Sequence, residues 1–311
     1  MNKAALYITA ASTVSHQPTF GNPGFSSTLG PIVADNALIS PDYKAYIDPG
    51  LLRRMSKILR MAVACSKDCI AQAEIEQPDA IVVGTGLGCL HDTEKFLNTS
   101  LTVDGLLPPT SFIQSTHNTM AGQISLSIGN HGYNMTHTQN TLSFEHALLD
   151  ASMLLREGDR HVLVGAADEH IDILEDIAAQ LSFEAPARLT SGASFFVLSK
   201  ENRGNAAAIL TDVHTTGGIE NAEAEIDAFL IRNGLNASDV DLVFHAGEPV
   251  QGVKGNVPYL PLSGVYATAS AFALHYAVDS LQTNASLKNV LICNALRKSN
   301  LGLILLQSVE A

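Results

Sequence analysis

The sequence predicts an α/β fold in which a sheet is covered by helices on both faces. Three observations carry that expectation. Strand-like and helix-like segments alternate along the chain. The strands are short continuous apolar runs, such as HVLVG at 161–165 and SFFVL at 194–198, the pattern of strands buried on both sides. Finally, each half of the chain reads strand, helix, strand, helix, strand, strand, as expected of an internal duplication, although the halves share no obvious residue pattern.

Taken in order, ALYITA at 5–10 reads as a first strand, followed by a long loop rich in Pro, Gly and Ser. Residues 51–73 read as one helix, because Leu52, Met55, Ile58, Leu59, Ala62 and Ala73 recur near a 3.6-residue spacing. DAIVVG at 79–84 is a β-branched strand ending at glycine, with a short helix over 91–97. A helix over 119–128 and a strand around 133–139 follow. Residues 142–156 form a helix closed by Gly158, and the two apolar strands quoted above complete the first half. The second half gives a strand at 207–213, a helix at 220–233, a strand at 242–246, a helix at 267–281, and strands at 289–294 and 302–306.

Composition narrows the functional classes. Of 311 residues, 46% are hydrophobic and 16% charged, which suits a chain with a large core and not a disordered one. A net charge of −13 repels phosphate backbones and anionic bilayers, so neither nucleic acid nor membrane is an expected partner. The opening MNKAALYITAAS reads as a strand and not as a signal peptide, and no apolar run reaches the roughly 20 residues of a bilayer span. The four cysteines, Cys65, Cys69, Cys89 and Cys293, form no CxxC pair and no zinc spacing. They read as free thiols of a reducing cytoplasm. His137, His146, His161 and His170 crowd the centre, yet His146 has only Asp150 at i+4, and two ligands do not make a metal site. No metal or cofactor is expected.

VVGTGLG at 82–88 follows a strand and precedes a helix. Its glycines fall at 84, 86 and 88, not in the G-x-G-x-x-G spacing of a dinucleotide turn, and no ribose-binding acid follows. These glycines read as backbone permission for tight turns at a strand end.

Four stretches together resemble the β-ketoacyl synthases of the thiolase superfamily. They are GTGLGCLHDTEKFL at 84–97, PPTSFIQSTHNTMAGQISLSIGNHGYN at 108–134, SFEHALLDASMLLREGDRHVLVGAADE at 143–169 and SGASFFVLSKE at 191–201. The match is dense over the first two-thirds and thin in the last third. The resemblance implies a thiolase-like fold of layered α-β-α-β-α architecture built from two similar halves. It implies a single domain over 1–311, with an N-terminal half at 1–200 and a reduced C-terminal half at 201–311.

Condensing enzymes of that family use a cysteine at the start of a buried helix, whose thiolate takes the acyl group as a thioester. Two histidines then assist malonyl decarboxylation and stabilise the oxyanion. Counting back from HALLDA at 146–151, the nucleophile position falls on Thr141, a weak nucleophile with no activating amine, preceded by Gln139 and Asn140. The first histidine position falls on Ala246 and the second on Val265. His245 sits one residue early, where a strand would turn its side chain to the opposite face unless the strand were bulged. NALRKSNLG at 294–302 replaces the family's glycine-rich gating loop. These departures imply a lost condensing activity.

The short chain and SFEHALLDA are similar to the ketosynthase-like, cysteine-lacking subunits called chain-length factors, in particular those of aryl-polyene and flexirubin-type pathways. The implied partners are an active ketosynthase in a heterodimer and an acyl carrier protein bearing phosphopantetheine. By the same resemblance, His117, Asn118, Gln123, Asn134, Thr136, His137, Thr138 and Gln139 are expected at the subunit interface. The basic cluster Arg53, Arg54, Lys57 and Arg60, at helical spacing, is the expected carrier-docking patch. Asp168, Glu169 and Asp172 read as hydrogen-bonding or helix-terminal acids. Two alternatives stay open: a divergent acyltransferase using His245 or Cys89, and a ketosynthase-fold scaffold without a partner synthase.

Overall fold

A computed structural model describes residues 5–33, 36–107, 109–182 and 187–309. The first half contains β1 (Leu6–Val14), α1 (Pro49–Leu52), α2 (Lys57–Gln72), β2 (Ala80–Gly84), α3 (Leu90–Thr102), α4 (Pro109–Gln114), α5 (Thr119–Ile128), β3 (Tyr133–His137), α6 (Ser143–Glu157), β4 (His161–Asp168), α7 (Ile173–Gln180) and β5 (Gly192–Ser199). The second contains β6 (Ala208–Gly217), α8 (Ala222–Arg232), β7 (Leu242–His245), β8 (Asn256–Pro258), α9 (Leu260–Ser263), α10 (Ser270–Thr283), β9 (Asn289–Asn294) and β10 (Asn300–Gln307).

The sheet is ten-stranded, in the order β3-β2-β4-β5-β1-β6-β10-β9-β7-β8. Read outward from the centre, the halves are mirror images. In each, the two outer pairings are parallel and the next two antiparallel: β2 with β3 and β4, then β4–β5 and β5–β1, against β7 with β8 and β9, then β9–β10 and β10–β6. The repeated element order seen in the sequence is thus a repeated strand order. The halves join along a short seam, where Leu6, Tyr7 and Ile8 of β1 pair with Leu210, Ile209 and Ala208 of β6.

Three apolar clusters define five layers. The central one takes Phe144, Leu148 and Leu155 from α6, Leu274 and Val278 from α10, and inward residues of strands from both halves. An outer cluster packs Ile58, Leu59, Met61, Ala62 and Cys65 of α2 and Met120 and Ile124 of α5 on the first half. The other packs Ile226, Phe229 and Leu230 of α8 on β7, β9 and β10. The layers run α-β-α-β-α, with α6 and α10 as the middle helices. Strands buried on both sides explain the continuous apolar runs.

The helix expected over 51–73 is divided. Asp48 accepts from Gly50 N at 2.7 Å and Pro49 stands at the first helical position, so α1 is a separate single turn. Ser56 adopts an extended backbone before α2, and Met55 is buried between them. Apolar spacing runs across the break, which is why the sequence hides it. The helix at 119–128 lies where expected and ends on Gly129 at φ +68°.

Candidate functional site

The N-terminus of α6 is where the geometry concentrates. A 3-10 turn, Asn140–Leu142, leads into the helix, with Asn140 in the left-handed region at φ +55°. Asparagine tolerates that conformation better than most side chains. Glycine brings β2 close: a Cβ on Gly84 would stand 2.6 Å from Ser143 O, and one on Gly86 would collide with Ala267 Cβ. The glycine turn at 84–88 is therefore a packing device against α6 and the second half, not a ligand cradle.

Thr141 is 8% exposed, and its hydroxyl has no hydrogen-bond partner among the described residues. Asn294, at the end of β9, donates from Nδ2 to Thr141 O at 2.8 Å and to Glu145 Oε1 at 2.8 Å. Glu145 is fully buried against Gly302 of β10, where a Cβ would stand 2.8 Å from the glutamate Cγ. Burial pushes its carboxyl up to about 7, against the hydrogen bond from Asn294. No base approaches the Thr141 hydroxyl through a hydrogen bond among the described residues.

Ala246 donates its N–H to Cys293 O at 3.0 Å, beside Asn294. Val265 bridges to Leu189 and takes part in the central apolar cluster. His245 lies in regular register, opposite Cys293 and Pro258. It is 4% exposed, and its Nδ1 is 2.8 Å from Gly247 O. Without a bulge, its ring is a satisfied strand-end histidine.

Asp168 binds the two halves together. Its Oδ1 accepts from Thr85 Oγ1 at 3.0 Å, Gly86 N at 2.9 Å and Leu87 N at 3.1 Å, and its Oδ2 accepts from Thr268 N at 3.0 Å and Thr268 Oγ1 at 2.8 Å. Burial raises its pKa, opposed by those bonds. Glu169 Oε1 accepts from His91 N at 3.0 Å, at the start of α3. Cys89, just before that helix, is fully buried, and burial pushes its thiol upward. That environment opposes a reactive thiolate.

The basic cluster lines a cleft of about 860 Å³ between α2, α3, α4 and the β4–α7 connection. Arg53, Arg54, Lys57 and Arg60 stand on it together with Lys95. Arg60 Nε is anchored to Met55 O at 2.9 Å and Lys57 Nζ to His170 O at 3.0 Å, whereas Arg53, Arg54 and Lys95 make no ion pair among the described residues. An adjoining hollow brings Arg54 together with Ile113 and Gln123.

The model of the β-ketoacyl synthase N-terminal domain matches residues 36–212, more than half of the chain. The chain belongs to the β-ketoacyl synthase family. No curated protein matches it. Among solved structures, the ishigamide ketosynthase/chain length factor superposes with a TM-score of 0.83 at 17% identity, covering 98% of this chain and 99% of that one. A β-ketoacyl synthase from Burkholderia phymatum STM815 gives 0.77 at 13% identity over 98% and 100%. The ketosynthase ApeO in complex with its chain length factor ApeC, from Xenorhabdus doucetiae, gives 0.55 at 19% identity over 74% and 90%. These likenesses establish the thiolase-like ketosynthase fold.

Within this ketosynthase fold, β3 is the edge strand of the first half. Asn134 is exposed and donates from Nδ2 to Ala121 O at 3.0 Å. Thr136 and His137 are half-buried, and His137 Nε2 is 2.9 Å from Asp150 Oδ2. Thr138 and Gln139 are exposed, as are His117 and Asn118, while Gln123 is half-buried. The His117 ring packs against Gly88. Exposed apolar side chains lie on this strand and on α5, which packs against it: Tyr133, Met135 and Leu126. Glu145 and Asn294 were invisible to sequence reasoning. A glutamate in a first helical turn reads as a surface charge favoured by the helix dipole, and nothing local marks it as buried. No helix among the described residues is long and apolar enough to cross a membrane, and no cluster of three or more potential metal ligands occurs among them.

Proposed function

We propose that this chain is the non-catalytic, chain-length-factor-type subunit of a ketosynthase pair, acting in polyketide or fatty-acid-type chain extension of the aryl-polyene kind in the cytoplasm. One observation carries the reading. Where the family's condensing enzymes need a thiolate and two imidazoles, this chain offers a buried threonine hydroxyl without a base, an alanine and a valine. A catalytic step needs a nucleophile within reach of something that takes its proton, and neither His245 nor Cys89 supplies that pair.

The surfaces support the same reading. The exposed edge of β3, flanked by apolar side chains, suits pairing with another subunit, because an open strand edge invites strand addition. Arg53, Arg54 and Lys95, which make no ion pair among the described residues, suit an acidic carrier protein and its phosphopantetheine phosphate, although Asp92, Glu94, Glu169 and Asp172 line the same cleft. Co-expression with a candidate ketosynthase subunit, followed by mass analysis and labelling with an activated acyl thioester, tests the proposal. A one-to-one complex labelled on the partner alone is expected. Acyl label on this chain would overturn it and restore a divergent acyltransferase. A chain that ignores the synthase would leave a scaffold. Reversing Arg53, Arg54, Lys57 and Arg60 to glutamate is expected to weaken carrier-dependent activity of the pair at least tenfold. Unchanged activity would dismiss that patch.

A further inference from the structure

Two buried acids line the basic cleft. Asp92, in the first turn of α3, and Glu169, just after β4, are 6% and 2% exposed. Glu169 Oε1 accepts from His91 N at 3.0 Å, but Glu169 Oε2 and Asp92 Oδ2 have no hydrogen-bond partner among the described residues. A buried carboxylate oxygen without a donor is costly, and the cost falls when a proton settles on the group. Burial holds the Glu169 carboxyl above the usual carboxylate range, and the charge of Asp92 adds to this. The bond from His91 N, the Lys57 ammonium and the His91 ring oppose it. Cys89, pushed up first by burial, also feels both acids, so the two lie together.

The other charges of the cleft surround this pair. Residues of α2 and of the turn before it supply Arg53, Arg54, Lys57 and Arg60, while α3 supplies Glu94 and Lys95. The segment before α7 adds His170 and Asp172, whereas Thr110, Ser111 and Gln114 of α4 are uncharged. Farther on, His16 feels Lys57 and His170. The cations favour ionised carboxylates. An anion that neutralises those cations removes that support, so a bound anion and a bound proton strengthen one another, each by the same factor.

We infer that the cleft is a proton-coupled anion site, taking a phosphate or sulfate ester on Arg53, Arg54 and Lys95 together with a proton from solvent on the Asp92–Glu169 pair. The inference rests on the carrier-docking reading of the cleft and adds its regulation. Docking strengthens as pH falls, and the acid pair sets the slope.

Pyrenetetrasulfonate, a fluorescent polyanion that keeps its charge between pH 6 and pH 8, is the probe. Binding is read by anisotropy at constant ionic strength, because salt screens exposed cations. The native chain is expected to bind about tenfold more tightly at pH 6 than at pH 8, since one pKa unit of coupling is a tenfold change. Calorimetry in buffers of different ionisation enthalpy is expected to show proton uptake on binding. Asp92→Asn/Glu169→Gln keeps the side-chain shapes and an acceptor for His91 N. It is expected to bind at pH 8 as tightly as the native chain does at pH 6, and to lose the slope. Imidazoles also gain positive charge as pH falls, so His91→Gln/His170→Gln is the control, and most of the slope is expected to remain in it. A slope kept in the acid variant and lost in the histidine variant overturns the inference. Native binding without slope or proton uptake also overturns it, while the cleft stands as a docking surface. If the native chain does not bind the probe, or Arg53→Ala/Arg54→Ala/Lys95→Ala binds it equally well, the cleft is no anion site, and the carrier reading falls with the inference.

Discussion

The side-chain amide of Asn294 and the carboxyl of Glu145 meet at 2.8 Å, one helical turn past Thr141. Asn294, at the end of β9, thus reaches across to the start of α6, where one amide group holds both the Thr141 carbonyl and the Glu145 carboxyl.

Restoring the nucleophile alone should therefore not restore chemistry. Thr141→Cys is expected to remain unlabelled by an activated acyl thioester, because burial raises thiol pKa values and neither Ala246 nor Val265 can assist. Stoichiometric labelling of that variant, detected by intact mass, would show that the site is still competent.

Glu145 should make stability depend on pH. Its folded-state pKa of about 7 lies above the ordinary value of 4.5, so the folded chain holds a proton that the unfolded chain releases. Stability is then highest below pH 4.5 as far as this group is concerned, falls between about 4.5 and 7, and levels off above. The shift corresponds to roughly 3 kcal/mol. Glu145→Gln is expected to remove this slope and to be the more stable protein at pH 8. Urea titrations at pH 5 and pH 8 read both, and parallel slopes for the two proteins would refute the assignment.

Asp168→Ala should leave five hydrogen-bond donors without an acceptor in a buried place. A loss of about 3–5 kcal/mol is expected, as when one partner of a buried charged network is removed. Asp168→Asn, which still accepts through one oxygen, should cost less. Chemical denaturation ranks the two, and equal stabilities would remove Asp168 from its joining role.

Two glycines should behave in opposite ways. Gly86→Ala drives a methyl into Ala267 and is expected to cost about 1–3 kcal/mol. Gly122, inside α5, has nothing within 4 Å of an added Cβ, so Gly122→Ala is expected to add roughly 0.5–1 kcal/mol. Melting temperatures moving in the same direction would contradict the packing account.

What the sequence made legible was local. Apolar runs such as those of β4 and β5 found nearly every long element, because burial on both faces leaves no polar alternation to confuse them. The short elements α4, α7, α9 and β8 escaped, since three to eight residues give no readable period. The mirror order of strands lay beyond the sequence, because it depends on pairings such as Leu6 with Leu210. At the site, the expectation that Thr141, Ala246 and Val265 stand where the family's cysteine and histidines would be came from counting along a motif. The Glu145–Asn294 contact could not be counted so, because it joins residues 149 positions apart.

The fate of the four cysteines has a practical reach. Cys65 and Cys69 donate to Ala193 O and Phe195 O, and all four are buried. Burial pushes Cys65, Cys69 and Cys89 upward and Cys293 up to about 12. The folded chain is thus expected to be silent toward maleimides, as though it had been engineered free of thiols. One cysteine placed on the β3 edge or on α7 becomes the sole reporter in the native state, so its labelling rate, with and without a candidate subunit present, maps the covered surface residue by residue.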